Sequence, residues 1–235
     1  MKNVTIVFKK NMKMSELIDA DYRLLLLLNR LKISLGFGEK SVDAVCKENN
    51  FDTDCFLFLA NYQSNRSITN IHETFATLPL EPFLQYLKNS HSYFLEKRLP
   101  NIRRKLELVF ASSDKGLQHI VFDFFDNYTK EVAEHMEYED DVVFPYVRTL
   151  MEKTCPDQYS INIFEERHND IEAKMSDLKQ ILMKYVSGTT DQMLMVNILM
   201  ELYMSEEELE AHTFIEDNLV IPRVKEMEEA RINKK

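Results

Sequence analysis

Histidine, glutamate and proline recur in this 235-residue chain at one fixed offset. His91 and His168 are 77 residues apart, and so are His135 and His212, Glu139 and Glu216, and Pro145 and Pro222. Four of the six histidines obey the rule. Self-similarity in a kept register marks a duplicated supersecondary unit, and the residues kept here are of metal-ligating type. The pattern predicts two similar halves arranged around a two-fold metal site.

The segments around the second histidine of each half align closely. His-Met-Glu-Tyr-Glu-Asp-Asp-Val-Val-Phe-Pro (135–145) stands against His-Thr-Phe-Ile-Glu-Asp-Asn-Leu-Val-Ile-Pro (212–222). His, Glu, Asp, Val and Pro are identical, and the other apolar positions mostly exchange one apolar residue for another. On a helix, residues i and i+4 share a face roughly 6 Å apart along the axis, so one metal or metal pair can take both side chains. A surface His/Glu pair that merely supports a helix explains one copy well and two in register poorly.

Only four glycines in a chain of 45% apolar content argue against an all-β fold, and the apolar residues follow helical periodicity, as in Leu178, Ile181, Leu182 and Tyr185. The expected fold is all-α. Four long helices are predicted from Pro79 onward, over 81–112, 117–153, 159–186 and 191–229. Ser112-Ser113-Asp114-Lys115-Gly116, Cys155-Pro156-Asp157 and Ser187-Gly188-Thr189-Thr190 supply the breaks. Short connections imply antiparallel neighbours and an up-down-up-down four-helix bundle over 79–235. Counting residues back to each turn brings the four repeated histidines and two repeated glutamates near one level of the bundle. Pro145 and Pro222 fall inside helical pattern, where each costs a backbone hydrogen bond and is expected to kink its helix. Pro100 has no counterpart in the second half and receives no role.

Residues 1–78 read as a small helical module, with helices near 14–34, 41–48 and 54–62 and a polar linker running to Pro79. The net charge of −10 falls mostly on 79–235, and an acidic bundle disfavours nucleic acid as a partner. The pentaleucine Leu24–Leu28 is too short to span a bilayer, and the N-terminus lacks the pattern of a secretory signal. A cytoplasmic protein with no membrane partner is expected. Cys46, Cys55 and Cys155 form no CxxC pair, so neither a disulfide framework nor a thiolate cage is indicated.

Imidazoles and carboxylates together suit iron, manganese or zinc rather than calcium or copper(I). Six donors in two-fold arrangement divide as two histidines per metal, with Glu139 and Glu216 shared between two metals. Sharing also relieves the mutual repulsion of two buried carboxylates. Glu131 and Glu208 repeat at the same offset and read as exposed helix acids. His72 and His119 lie outside the repeat and read as surface histidines.

His91, the His135-xxx-Glu139 motif with Phe144-Pro145, His168, and the His212-xxx-Glu216 motif with Pro222 resemble the hemerythrin-like bundle of the repair-of-iron-centres proteins over about residues 80–225. The resemblance implies a non-haem di-iron centre with His91, His135, His168 and His212 as terminal ligands and Glu139 and Glu216 as bridges. It further implies a role in nitrosative and oxidative stress, with nitric oxide, peroxide or dioxygen as small-molecule partners and iron–sulfur proteins as macromolecular ones. The module containing Gly36-Phe37-Gly38-Glu39-Lys40-Ser41-Val42 is similar to that family's leading domain, but Gly36-Phe37 replaces its adjacent cysteine pair. A hemerythrin-type dioxygen-binding or sensing module is the alternative, and an extra histidine in register, which such a centre uses, is missing from this sequence.

Overall fold

The computed structural model describes residues 7–65, 68–111, 114–152, 159–165, 171–186 and 191–232. The chain divides into two compact units, Met1–Ser90 and His91–Lys235. No strand occurs among the described residues, where pairing is limited to an isolated bridge between Lys13 and Ser41. The fold is all-α, as its periodicity and few glycines imply.

In the first unit, α1 (Met14–Ala20), α2 (Leu24–Arg30), α3 (Val42–Glu48) and α4 (Thr53–Asn65) are followed by α5 (Ile71–Ala76) and the start of α6 (Glu81–Tyr93). The helix expected over 14–34 is therefore two. The break lies at Asp21, whose carboxylate accepts from the Arg23 backbone N–H at 3.0 Å and from its guanidinium, an Asx turn that competes with helix. Gly36 and Gly38, at φ of 96° and 59°, occupy left-handed backbone between α2 and α3, where a Cβ is disfavoured. The stretch read as polar linker holds α5 instead. Phe75 pins it there, with its ring centroid 5.6 Å from that of Phe58 and 4.7 Å from that of Phe83. One buried aromatic in a polar run is a weak periodic signal, which is why α5 escapes the sequence pattern.

In the second unit, α7 (Leu99–Phe110), α8 (Lys115–Tyr138), α11 (Ile171–Tyr185) and α12 (Gln192–Ile215) pack in a closed ring, each against the next and α12 against α7. Their core stripes recur every three or four residues. Val121, Phe125, Tyr128, Val132 and Met136 face Ile102 and Leu106, Met175, Leu178 and Leu182, and Ile198, Leu202 and Leu209, the spacing of bundle seams. Asp114 caps α8 by accepting from the Gly116 and Leu117 N–H groups, and Asp191 caps α12 by accepting from Leu194 N–H, which stabilises each first turn. α9 (Phe144–Met151) and α13 (Ile221–Ile232) continue the second and fourth helices and pack on each other, with the short α10 (Asn162–Glu165) before α11.

The prolines that break the helical pattern stand at widened turns. Three five-residue π-helical turns interrupt the helices: π1 (Phe94–Arg98), π2 (Glu139–Val143) and π3 (Glu216–Val220). Each closes with an N–H reaching back five residues, from Leu99 to the Phe94 carbonyl, Phe144 to Glu139 and Ile221 to Glu216. Pro100, Pro145 and Pro222 each follow that closing residue directly. A wider turn offers other N–H groups to carbonyls that an imino acid would leave unpaired in an α-turn. Pro100, given no role from sequence, shares this arrangement.

Candidate metal centre

The ligating stripe is the core stripe continued toward one end of the bundle. On α12 the buried series Ile198, Leu202, Ser205, Leu209 leads to His212 and then Glu216. On α8 the series Tyr128, Val132 leads to His135 and Glu139. The stripe turns polar there because these residue types replace aliphatic ones at the same inward positions. Glu139 and Glu216 are each the first residue of a π-turn, a local widening found often at functional sites.

His91, Glu139, His212 and Glu216 are all buried, and one ligand atom from each lies within 4.8 Å of the others. His91 Nε2 stands 3.1 Å from Glu139 Oε2, 4.0 Å from Glu216 Oε1 and 3.0 Å from His212 Nε2. His212 Nε2 is 2.8 Å from Glu216 Oε1. His135 reaches the same group from its edge, with Nε2 3.1 Å from Glu139 Oε1. His168 lies outside the described residues.

The cluster has few ordinary partners. Both carboxylate oxygens of Glu139 and of Glu216, and Nδ1 of His212, are buried without a hydrogen bond among the described residues. Their short contacts to imidazole nitrogens have ion-pair distances without hydrogen-bond angles. Burying acceptor-only carboxylates in this way costs several kcal/mol unless a cation compensates them. The donor set thus fits a metal ion, and mixed imidazole and carboxylate donors fit one of intermediate softness.

His91 is oriented by a residue that sequence reasoning passed over. Asp140 Oδ1 lies 3.0 Å from His91 Nδ1. An ionised carboxylate only accepts, so the Nδ1 proton belongs to His91, and it is Nε2 that faces the cluster and presents a lone pair once the ring is neutral. Such a carboxylate fixes ring and tautomer for metal binding. The signal existed, because Asp140 and Asp217 repeat at the offset of 77, but an acid beside a glutamate reads as helix surface. Phe144 stacks on His91 at 5.5 Å between centroids, and Phe164 on His135 at 6.0 Å.

Burial alone would lower the His91 pKa, but the hydrogen bond to Asp140 and the adjacent charges of Glu139 and Glu216 raise it to about 9. Burial alone would raise that of Glu139, but His135 and His91 hold it well below the usual carboxylate range. An imidazolium and a carboxylate therefore compensate each other where a cation would take over that work.

The repeated acids one turn earlier, read from sequence as exposed residues, differ from each other. Glu208 forms a 2.9 Å ion pair with the buried Arg98, and Glu131 pairs with Lys174. Glu208 is drawn inward by the cation that meets it, whereas the Glu131 side chain stays 41% exposed, as expected. His72 and His119 are exposed, and His119 pairs with Asp123 at 3.1 Å. Cys46 and Cys55 are buried thiols outside any disulfide, and burial pushes the Cys46 thiol up to about 12, far from a reactive thiolate. Among the described residues, no helix is long and apolar enough to cross a membrane.

Residues 83–224 match one family model, described as the hemerythrin HHE cation binding domain. No match was found among the curated proteins.

Proposed function

This chain belongs to the hemerythrin HHE cation-binding domain family, and on that premise we propose that it is a cytoplasmic non-haem di-iron protein of the nitrosative and oxidative stress response. The observation that carries the reading is the pair of buried carboxylates without hydrogen bonds, Glu139 and Glu216, set between histidine nitrogens. Two acids at equivalent places of a duplicated motif suit two ions better than one. In this reading His91, His135, His168 and His212 are terminal ligands and the two glutamates are bridges. Iron held there supplies redox chemistry and binding of small ligands such as nitric oxide, peroxide or dioxygen.

The chain's own residues set the conditions. Asp140 keeps the His91 Nδ1 proton in place, so that Nε2 is the nitrogen turned toward the cluster. Phe144 and Phe164 cover the imidazoles and restrict water. Repair of damaged iron–sulfur proteins, by iron donation or by removal of nitric oxide, is the role that the resemblance to repair-of-iron-centres proteins supports.

An anaerobic ferrous titration with elemental analysis tests the centre, followed by spectroscopy with nitric oxide, peroxide and dioxygen. Two irons per chain with magnetic coupling, and reaction with nitric oxide or peroxide, are expected. One uncoupled ion per chain would overturn the di-iron reading. Reversible dioxygen binding without turnover would replace the stress role by a carrier or sensor role.

A further inference from the structure

We propose that Tyr146, Tyr159 and Tyr138 form a one-electron relay, which sends an electron toward the metal centre when peroxide meets a centre that has only one left to give. The inference rests on the di-iron reading above. Three of the chain's ten tyrosines converge beside His135. The oxygens of Tyr138 and Tyr159 are 3.2 Å apart, and the rings of Tyr159 and Tyr146 meet edge to face with centroids 4.7 Å apart. Toward the centre, Tyr138 stacks on Phe164 at 6.4 Å, and Phe164 stacks on His135 at 6.0 Å. A row of rings and hydroxyls therefore runs without a gap from a candidate ligand to Tyr146.

The far end of the row can take up a proton. Tyr146, on α9, is buried and donates its O–H to Glu228 of α13. Glu228 also accepts from the Ile161 N–H at 2.9 Å and from the Ser160 O–H at 3.2 Å, so its carboxylate is fixed before any reaction begins. It is only half-buried and so remains open to solvent. A phenol gives up an electron readily where its proton can leave in the same step, and the acceptor must then stand within hydrogen-bond reach. Tyr146 meets that condition. Seven residues of helix set it roughly 10 Å along the axis from Glu139, a short path for an electron.

Hydrogen peroxide needs two electrons and two protons for its O–O bond to break with both oxygens leaving as water. A centre holding two ferrous ions has both electrons. One holding a ferrous and a ferric ion has a single electron, and cleavage by that electron alone yields hydroxide and a hydroxyl radical. In this second case Tyr146 gives the missing electron. Its O–H bond breaks, the electron passes along Tyr159, Tyr138 and Phe164 toward His135, and the proton moves to the Glu228 carboxylate, which releases it to solvent. Two protons from solvent complete the two waters. Tyr146 is left as a neutral phenoxyl radical, and a soluble thiol restores it by giving up a hydrogen atom and becoming a thiyl radical.

The full chain, loaded with iron and reduced to one ferrous and one ferric ion, is mixed with hydrogen peroxide and frozen at once for electron paramagnetic resonance. A phenoxyl signal whose splitting changes with ring-deuterated tyrosine is expected, and it should be absent when both ions start ferrous. Tyr146→Phe and Glu228→Gln should each cut the signal at least about tenfold, while iron content and far-UV spectrum stay those of the parent. Mass spectrometry of both variants should then find more oxygen added to the peptides that carry the ligands. Tyr185→Phe, at an exposed ring outside the row, should change neither readout. Bound iron that peroxide fails to oxidise would overturn the di-iron reading and the relay together. Iron oxidised without a phenoxyl signal, or with a signal that survives in Tyr146→Phe, would overturn the relay alone.

Discussion

At His91 one neighbour sets the chemistry of the ring. Asp140→Asn removes the negative charge behind His91 Nδ1 and leaves only a neutral amide acceptor, and should lower metal affinity about 10- to 100-fold, read by competition with a coloured chelator, while the helical spectrum stays that of the parent. Unchanged affinity would mean that the imidazole is held by packing alone. The raised His91 pKa gives a second expectation with a definite sign. In the metal-free protein the proton on His91 supports folding fully below about pH 6.5, and that support fades as pH climbs through about 9. A metal needs the neutral ring, so its apparent affinity should rise between those limits as the proton leaves. Calorimetry in buffers of differing ionisation enthalpy should find proton release on binding at pH 7.5, and affinity flat from pH 7 to 9 would contradict the assignment. The meeting of His91, His135, Glu139, His212 and Glu216 was legible in the sequence, because a kept offset survives any detail of packing. Asp140 repeats just as faithfully, yet only the position of a ring nitrogen on another helix separates it from an ordinary surface acid.

Among the elements, the long helices of the bundle were legible from apolar spacing and capping residues. The π-turns were not. A single extra residue in a turn leaves the offset between two halves unaltered, since both halves carry it, and proline reads as an interruption in either geometry. The turns yield a test in which the proline decides the outcome. Deleting the exposed Asp141 removes the extra residue and forces Pro145 into an ordinary α-turn, where it clashes with a carbonyl at a cost of about 3 kcal/mol. The melting temperature should fall by on the order of 5–10 °C, and adding Pro145→Ala to the deletion should recover part of the loss. Equal loss with and without the proline would show that the turn exists for packing alone. α5 was hidden for a different reason, having one buried anchor, Phe75, among polar residues.

For the whole molecule, every described group of the candidate centre belongs to the unit His91–Lys235. At a hundredfold excess over its dissociation constant, a bound ion adds about 2.7 kcal/mol, which corresponds to a rise of roughly 5–10 °C in a domain of this size. Scanning calorimetry with ferrous iron and with a chelator should show that rise in a transition of the second unit. Equal melting in both conditions would remove the ion from any part in the fold. His91 and His212 are brought to 3.0 Å of one another although 121 positions separate them, so an ion between them is a reversible cross-link that closes almost the full span of the bundle. Such a closure restricts the unfolded chain much as a long-loop disulfide does, but acid or a chelator opens it without any change of oxidation state. Limited proteolysis should therefore cut the metal-free chain faster than the loaded one within residues 91–216, the span that the ion closes.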